Sequence, residues 1–389
     1  MQPLLKNITI WKYSFPLRFS FSHTLATRTS AETLLVQIQT RSGNAGFGQA
    51  LPRTYLTGET IESALESIQN EWWPRIAALD FSSCDTLSSA LETIGPVYKD
   101  ADAVRNNAAF AAVEIAALDA FCRERNIPLA PQKGGEQERR IPLVGVIPAT
   151  GPVKAACMVS ALRLMGYRHF KIKVGKDNDV DRERIVSVRR AAGKSAWLAV
   201  DANQAWTFNE AVERMREMRG QGIQLVEEPL RPGMADRLKE LENVSQLPIM
   251  ADETLCTLSD AHALIRAGGP AWWNVRIGKN GGFSAVRELE RLAEQHAVTI
   301  YMGVLVGETS ALAAAGRAAM FGAKIGMAEY GFPRVFLKGD PFRGGPGGWH
   351  GQAKMPNPAP GLGVAMNGKT QPGARLVVRR KTYENGAIK

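Results

Sequence analysis

The order of hydrophobic and polar positions divides the chain into two parts. In the first part, the apolar runs "ETLLVQIQT" and "AGFGQA" flank the polar stretch "RSGN", which is typical of a β-hairpin. We assign the glycines of "GNAGFG" to the hairpin turn, because they do not lie at a strand-to-helix junction, where a nucleotide loop would need them. Helical spacing follows from Thr60 to Arg125, and "NIPLAPQKGGEQERR" then marks a domain junction.

From Ile141 onward, eight short β-rich runs alternate with longer amphipathic segments. These runs are "IPLVGVIPA", "HFKIKVG", "AWLAVDANQAW", "IQLVEEPL", "LPIMADET", "AWWNVRIGKNGG", "VTIYMGVLVGE" and "KIGMAEYG". Strands that alternate with helices predict parallel strands with right-handed crossovers, and eight such units predict a TIM-type barrel. The alternative is an open doubly wound sheet, but "VGVIPATGPVK" lacks the glycine fingerprint that such a fold carries after its first strand.

Length and composition narrow the class of protein. The chain has 389 residues, which is more than one compact core usually takes, and we expect two domains. The net charge of +10 comes from 48 basic and 38 acidic residues spread along the chain, and without a nucleic-acid motif we expect no nucleic-acid partner. No apolar run is long enough for a transmembrane helix or a signal peptide, which predicts a cytoplasmic protein without a membrane partner.

A polar residue ends each of five consecutive strands of the predicted barrel. The second to sixth strands end in Lys173, Asp201, Glu227, Asp252 and Arg276. The C-terminal ends of barrel strands meet at one mouth, where the active sites of such barrels lie. Three carboxylates on consecutive strands make an all-oxygen site that suits Mg²⁺, with Mn²⁺ as a substitute, and the lack of His and Cys there argues against zinc.

Two of these acids have an acidic neighbour, so the ligand set has alternatives. "VEEP" offers Glu227 or Glu228, and "ADET" offers Asp252 or Glu253. Alternation along the fourth strand points Glu227 into the barrel, and the spacing between strands favours Asp252. We interpret Glu228 and Glu253 as helix caps or as neighbours of the metal ligands.

Two lysines share one face of the second strand. In "FKIKVG", Lys171 and Lys173 are two residues apart, so their side chains point the same way, while Ile172 points the other way. One lysine can neutralise a substrate carboxylate, and the other can act as a general base if nearby cations lower its pKa. Together with Mg²⁺, this is machinery for removing the proton α to a carboxylate through a stabilised enediolate.

The order of these motifs resembles the enolase superfamily. KxK, DxN, VEEP and ADET follow one another on successive strands, and the KxK pair is similar to the muconate lactonizing enzyme subgroup of the mandelate racemase/muconate lactonizing enzyme family. The resemblance implies an α/β fold, a modified TIM barrel of type (β/α)7β with an N-terminal α+β capping domain. It implies a cap at residues 1–138, a barrel at 139–355 and a C-terminal segment at 356–389 that returns to the cap.

The resemblance also implies roles for individual residues. Asp201, Glu227 and Asp252 would bind Mg²⁺, while Lys173 would be the base and Lys171 its electrostatic partner. The cap would close over a small-molecule carboxylate, and the substrate-binding candidates are Phe21, His23, Arg53, Tyr55, Asn203, Lys279 and Glu308. The net charge and the basic and phenolic candidates suggest an anionic substrate. Proteins of this family often form homo-oligomers, and by analogy we expect one here.

One position departs from the family pattern. The subgroup usually carries a second catalytic lysine at the end of the sixth strand, where "NVRIGKNGG" has Arg276. Lys279 is the other candidate for this role, but it has the wrong parity for that strand face, and we favour Arg276. Arginine stays protonated and is a poor general base, although it can hold an anionic group or pair with an acid such as Glu308.

We therefore expect an isomerase or lyase that carries out a one-base elimination or cycloisomerisation. In this reaction, Lys173 abstracts the proton and Arg276 holds an anionic group. The first alternative is a dipeptide or N-acylamino acid epimerase or racemase with an unidentified second base. The second alternative is a catalytically retired barrel that still binds a metal and a carboxylate.

Overall fold

The computed structural model describes most of the chain. It describes residues 3–22, 27–100, 106–130, 140–175, 177–322, 324–329, 333–345, 350–354, 358–367, 374–384 and 387–388. These residues form an N-terminal unit of strands and helices and a barrel of parallel strands surrounded by helices. None of the helices in these ranges combines the length and the apolar character that crossing a membrane requires.

The N-terminal unit is a five-stranded sheet with helices packed on it. Its elements are β1 (Leu5–Ser22), β2 (Thr27–Thr40), β3 (Ala45–Ala50), α1 (Ile61–Ser67), a π-helical turn (Ile68–Trp72), α2 (Trp73–Ala77), α3 (Leu87–Asp100) and α4 (Asn107–Glu124), with β15 (Ala374–Glu384) and β16 (Ala387–Ile388) from the C-terminus. The strand order is β16-β15-β1-β2-β3. Because β15 pairs with β1, the C-terminal segment becomes part of the cap sheet.

Of the three glycines that we assigned to the hairpin turn, Gly43 lies in the turn between β2 and β3, with a φ of +98°, whereas Gly46 and Gly48 lie in β3. Gly46 and Gly48 face helix α4, and a Cβ atom on Gly48 would lie only 2.0 Å from the carbonyl oxygen of Ala112. A Cβ atom on Gly46 would lie 2.2 Å from the carbonyl oxygen of Ala116. The turn prediction was therefore right for Gly43 and wrong for Gly46 and Gly48, because these two serve close helix–sheet packing, which short-range sequence patterns do not reveal.

The second unit is a closed barrel of eight parallel strands. Its elements are β4 (Ile141–Ile147), α5 (Pro152–Leu164), β5 (His169–Lys173), α6 (Asn178–Ala192), β6 (Trp197–Asp201), α7 (Phe208–Gly220), β7 (Leu225–Glu227), a 3-10 turn (Ala235–Arg237), α8 (Leu238–Ser245), β8 (Ile249–Ala251), α9 (Leu258–Arg266), β9 (Trp272–Val275), α10 (Ile277–Asn280), α11 (Gly282–Gln295), β10 (Thr299–Met302), α12 (Ser310–Gly322) and β11 (Ile325–Glu329). Strand β11 pairs with β4 and closes the ring. The predicted modified TIM barrel with an N-terminal cap is confirmed.

After β11, the chain adds short elements and returns to the cap. They are α13 (Pro333–Phe336), β12 (Phe342–Gly344), β13 (Gln352–Ala353) and β14 (Val364–Met366). The predicted domain boundaries at residues 138 and 355 fall in the stretches 131–139 and 355–357, which lie outside the described residues. These boundaries stay predictions.

Strand register brings the predicted site residues to one end of the barrel. Lys173 aligns with Asp201 across β5 and β6, and Asp201 aligns with Glu227 across β6 and β7. Below this level, a cluster of buried side chains fills the barrel interior: Val144, Ala199, Leu225, Met250 and the ring of Tyr301, whose hydroxyl group bonds to Glu329 at the mouth. The polar mouth therefore rests on a packed apolar layer, which limits the movement of the side chains above it.

Candidate active site

The two lysines of β5 point into the barrel mouth and are almost fully buried. Lys171 Nζ lies 2.5 Å from Glu227 Oε2 and 2.5 Å from Glu329 Oε1. Lys173 Nζ donates to Asp201 Oδ2 at 2.5 Å and to Asn203 Oδ1 at 2.9 Å. The pair thus faces the inside of the barrel, and each ammonium group meets at least one carboxylate.

The charges around the lysines shift their pKa values upward. Burial by itself would lower the pKa of Lys171, but the charges of Glu227 and Glu329 raise it well above its ordinary value. Burial likewise opposes the rise for Lys173, whose pKa the charge of Asp201 raises. Both lysines are therefore ammonium groups as long as these carboxylates face them.

Three fully buried carboxylates line the mouth on consecutive strands. Asp201, Glu227 and Asp252 all have essentially no exposed surface. Burial and the nearby charge of Asp201 raise the pKa of Glu227 to about 8. Burial also acts on Asp252, but the positive charges of Arg276 and Lys279 outweigh it and lower the pKa of this acid. The charge of Asp252 is thus compensated by neighbouring cations, whereas that of Glu227 is compensated only in part.

Arg276 and Lys279 both contact Asp252. Alternation along the strand therefore does not decide which of them takes the place of the second catalytic lysine. Strand β9 ends at Val275 and the chain turns into the short helix α10, so strand alternation no longer applies to Lys279. Lys279 Nζ donates to Asp252 Oδ1 at 2.9 Å and to the carbonyl oxygen of Asn274 at 2.9 Å. Arg276 Nη2 contacts Asp252 Oδ2 and lies 3.8 Å from Glu227 Oε1. Lys279 lies in helix α10, so our parity argument against it does not hold.

Glu228 and Glu253, the acids that follow Glu227 and Asp252 in the sequence, form hydrogen bonds with residues around the mouth. Glu228 Oε2 accepts a hydrogen bond from the backbone amide of Asp252 at 2.6 Å. Glu253 Oε1 accepts from Asn203 Nδ2 at 3.0 Å, and Asn203 in turn accepts from Lys173. Glu227 and Asp252 form the ion pairs with Lys171, Arg276 and Lys279. Their preference over Glu228 and Glu253 as metal ligands stays a prediction.

Three residues of the mouth were missed by the sequence analysis. Glu329 ends β11 and contacts Lys171, and Tyr301 donates to Glu329 Oε1 at 3.0 Å. Asn274 on β9 donates to Glu227 Oε1 at 2.6 Å. Glu329 follows the same strand-end rule as the other acids and was visible in "KIGMAEYG", whereas Tyr301 and Asn274 look like ordinary strand residues in the sequence.

The predicted substrate residues of the rim have mixed placements. Arg53 is buried and donates to the carbonyl oxygens of Pro52 and Val306 at 2.9 and 2.8 Å, which ties the cap to the loop after β10. Glu308 lies in that loop and accepts from the amide of Leu305 at 2.7 Å. Burial raises the pKa of Glu308 to about 8. Tyr55 is half-buried in the cap loop.

The two remaining substrate-binding candidates are Phe21 and His23. Phe21 lies in β1, where its backbone pairs with Arg28, and His23 lies outside the described residues. Their expected role in closing over a substrate stays a prediction.

The chemistry of the mouth fits a hard divalent cation. Asp201, Glu227 and Asp252 offer only oxygen donors, and the pKa of Glu227 is raised by burial and by the charge of Asp201, both of which a nearby cation would offset. Within the described ranges, however, no three acidic, His or Cys side chains stand close enough together to hold a metal ion. Each of the three carboxylates is instead paired with a lysine or an arginine, so a metal would have to replace these pairs.

Fold and mouth together define a modified (β/α)7β barrel with a cap, and comparison with known proteins gives the family. The family described as "Enolase C-terminal domain-like" matches residues 154–370, and "Mandelate racemase / muconate lactonizing enzyme, N-terminal domain" matches residues 6–132. The chain belongs to the mandelate racemase/muconate lactonizing enzyme family of the enolase superfamily.

Several characterised relatives match most of the chain. The D-Ala-D/L-Ala epimerase of Cytophaga hutchinsonii is 28% identical over 342 residues, which cover 88% of this chain and 90% of the relative. The L-Ala-D/L-Glu epimerase of Bacillus subtilis is 28% identical over 356 residues, covering 91% and 94%. The muconate cycloisomerase 1 of Pseudomonas putida is 26% identical over 301 residues, covering 75% and 76%.

Solved structures of similar proteins have the same fold. The dipeptide epimerase from Cytophaga hutchinsonii, in complex with Mg and the dipeptide D-Ala-L-Val, has a TM-score of 0.79 and 26% identity, covering 96% of this chain and 98% of that one. A substrate-liganded complex of the L-Ala-D/L-Glu epimerase from Bacillus subtilis has a TM-score of 0.79 and 28% identity, covering 97% and 100%.

The similarity to these relatives bears on which of the predicted reactions is better supported. Epimerases that act on dipeptides match more of the chain than the muconate cycloisomerase does. They favour the epimerase alternative over the one-base elimination or cycloisomerisation that we expected from Arg276. The magnesium in the Cytophaga hutchinsonii complex agrees with the predicted Mg²⁺ and gives no support to the Mn²⁺ alternative.

Proposed function

We propose that this chain is a Mg²⁺-dependent isomerase that epimerises a dipeptide or a related N-acylated amino acid. The reaction begins with removal of the proton α to the substrate carboxylate. The observation that carries this proposal is the placement of two buried lysines against two buried carboxylates at the barrel mouth, Lys171 against Glu227 and Lys173 against Asp201. The similarity to dipeptide epimerases supports the substrate class.

The metal would be held by the three acids of the mouth. Asp201, Glu227 and Asp252 supply the oxygen ligands that Mg²⁺ prefers. When bound, the ion supplies positive charge that stabilises the enediolate formed from the substrate carboxylate. Lys171, whose ammonium form the surrounding acids favour, then binds one carboxylate oxygen and adds a second positive charge.

Lys173 takes the proton from the α-carbon in its neutral form. After the transfer, Asp201 Oδ2 and Asn203 Oδ1 accept hydrogen bonds from the new ammonium group, as they do in the structure. These two acceptors stabilise the protonated lysine and keep its nitrogen directed into the mouth. They therefore favour the enediolate side of the proton transfer.

Epimerisation also needs an acid or base on the opposite face of the α-carbon. Lys173 pairs with Asp201 on β6, and Lys279 pairs with Asp252 after β8, so the two lysines lie on opposite sides of Glu227. Arg276 stays protonated and is a poor base. We therefore assign the return of the proton to Lys279.

A one-base reaction is the second candidate, and the hydrogen bonds of Lys279 favour it. Its ammonium group has three acceptors, the carboxylate and carbonyl oxygens of Asp252 and the carbonyl oxygen of Asn274. An ammonium group held in this way moves less easily toward a substrate. Arg276 would then bind an anionic group, and Lys173 alone would handle the proton in an elimination or cycloisomerisation.

The test reads both exchange and configuration at the α-carbon. The protein is incubated with MgCl₂ in D₂O and with pools of dipeptides, N-acylamino acids and muconolactone-type lactones, and EDTA serves as the control. We expect deuterium at the α-carbon of one pool with inversion of configuration. Deuterium with full retention would favour the one-base candidate. Absence of deuterium from every pool would contradict the proposal.

A further inference from the structure

A buried ion pair on α6 lies behind the strand end that carries Lys173. Asp181 and Arg184 are only 2% and 3% exposed, and Arg184 Nη1 lies 2.5 Å from Asp181 Oδ1. Burying two charges costs free energy that their attraction often does not recover. A buried pair on the helical layer of a barrel therefore requires a specific reason.

Both members of the pair bond to the backbone around the lysine. Arg184 Nη1 donates to the carbonyl oxygen of Lys173 at 2.9 Å, and Arg184 Nε donates to the carbonyl oxygen of Thr150. Asp181 Oδ2 accepts from the amide of Gly175 at 2.6 Å. The pair thus holds the backbone on both sides of the residue that follows Lys173.

Helix capping does not account for the pair. Asp177 is the N-cap of α6, and its carboxylate accepts from the amides of Asp179 and Val180. Asp181 lies one turn further along the helix and reaches back past this cap to Gly175, which has a φ of +105°. The helix start is already satisfied, so the pair acts on the loop and on the strand end.

The pairing of β5 with its neighbouring strands shows what the Asp181–Arg184 pair adds at Lys173. Strand β4 pairs with β5 only as far as Ile147 and Ile172, so Lys173 has a strand neighbour on the β6 side alone, where it aligns with Asp201. On the β4 side, Arg184 joins the Lys173 carbonyl to the loop that follows β4. The arginine therefore replaces the missing ladder contacts at this position.

We infer, on the basis of the proposed function, that the Asp181–Arg184 pair is a positioning device for the base Lys173. It fixes the backbone from which the lysine side chain reaches the α-carbon, and it does not touch substrate. A displacement of about 1 Å in a reacting group can cost about 100-fold in rate. Lys171 has strand partners on both sides and is less dependent on the pair.

The test replaces the pair with apolar side chains, so that no charge is left buried alone. The test variant combines Asp181→Leu with Arg184→Met. The matched control is Arg189→Met, because Arg189 lies on the same helix and also donates to backbone carbonyl oxygens, those of Gly193 and Gly222. These carbonyls precede β6 and β7 at the end of the barrel opposite to the site.

We expect the double variant to fold and to unfold at a temperature close to that of the control. Its kcat should fall about 10- to 100-fold while KM changes less than about 3-fold, because substrate binding through Lys171 is kept. Amide hydrogen exchange of residues 173–175 should be faster in the double variant and unchanged in the control. The single variant Arg184→Lys keeps the positive charge but loses the planar guanidinium group. Its kcat should lie between that of the double variant and that of the unmodified protein.

Three results would overturn the positioning role. The first is a kcat in the double variant equal to that of the control. The second is a loss of kcat that parallels the loss of stability in both variants. The third is an unchanged hydrogen-exchange rate of the Gly175 amide, which can be measured without any turnover. Failure of the proposed function has a different signature, because deuterium exchange at the substrate α-carbon would then be as fast in Lys173→Ala as in the unmodified protein.

Discussion

Lys171 and Lys173 share one strand face, but their surroundings favour different roles for the two lysines. Lys171 lies between Glu227 and Glu329, and the two acids hold it as an ammonium group. Lys173 is paired with Asp201, which is also a proposed metal ligand. A cation that binds Asp201 and Glu227 would weaken a pairing of each lysine, but Lys171 would keep its contact with Glu329. Lys173 would lose its carboxylate partner and is therefore the better candidate for a base.

Replacement of Lys279 should separate deuterium exchange at the substrate α-carbon from inversion of its configuration. The variant Lys279→Met should keep deuterium exchange at the α-carbon through Lys173 but should lose inversion at least about 100-fold, the size of a typical general acid–base contribution. Mass spectrometry measures exchange, and chiral chromatography measures configuration. Undiminished inversion in this variant would show that another group returns the proton.

The contrast between Asp252 and Lys279 shows how far single residues can be predicted from the sequence. Asp252 follows from the repeat of one polar residue per βα unit, because parallel strands end at the same mouth. Lys279 does not follow, because the strand ends at Val275 and helix α10 carries the side chain back to Asp252. Such a change of backbone direction depends on tertiary packing that the local pattern does not contain.

At the level of whole elements, two buried carboxylates bind the starts of helices, one within the cap and one between the cap and the barrel. Glu59 accepts from the amides of Ala108 and Ala109 at the start of α4. Glu114 on α4 accepts from the amides of Phe283 and Ser284 at the start of α11, which belongs to the barrel. Each carboxylate thus satisfies helix amides that would otherwise lack partners.

These two acids predict a decrease in stability with rising pH. Burial raises the pKa of both Glu59 and Glu114 to about 7, above their value in the unfolded chain. The folded state therefore keeps protons that the unfolded state has released, and stability falls as the pH rises through about 7. Urea unfolding between pH 5 and pH 8 should show a free energy of unfolding that falls by up to about 3 kcal/mol per group.

The variant Glu114→Gln isolates one of the two groups. It should unfold with a weaker pH dependence than the unmodified protein, whereas the control Glu66→Gln at an exposed position of α1 should keep the full dependence. A free energy of unfolding that stays constant or rises between pH 5 and pH 8 would contradict the assignment.

The elements themselves were more predictable than their contacts. Eight strand patterns alternating with amphipathic segments suffice for a parallel barrel, because each unit repeats the same period. The joints between elements were not predictable: Gly48 looks like a turn residue and Glu114 like a polar position on a helix, yet both meet partners far away in the sequence. Arg184 is a similar case, since its surface-like helix position faces the strand end.

For the molecule as a whole, the cap and the barrel are tied together at the mouth. Gln49 of β3 donates to the carbonyl oxygen of Gly307 at 3.0 Å and accepts from the amide of Thr309 at 2.8 Å. Arg53 donates to the carbonyl oxygen of Val306. These bonds place the cap loop of residues 51–60 beside the loop after β10, so both units contribute to the rim of the site.

Magnesium should stabilise the entire molecule by binding the folded state alone. The shift in the free energy of unfolding should reach about 2.7 kcal/mol when free Mg²⁺ is 100 times its dissociation constant. Thermal unfolding with MgCl₂ and with EDTA measures this effect, and Asp252→Asn should remove most of it. Equal unfolding temperatures in MgCl₂ and EDTA would contradict a magnesium site formed by these acids.

The most direct test of the account measures α-deuterium exchange in Lys173→Ala with and without added primary amines. The account predicts that exchange on an accepted substrate falls by at least about 100-fold and is partly restored by methylamine, which supplies the missing base. The control Lys154→Ala, at an exposed position of α5, should exchange at the normal rate. Exchange that persists in Lys173→Ala at the rate of the unmodified protein would contradict the role of Lys173 as the base.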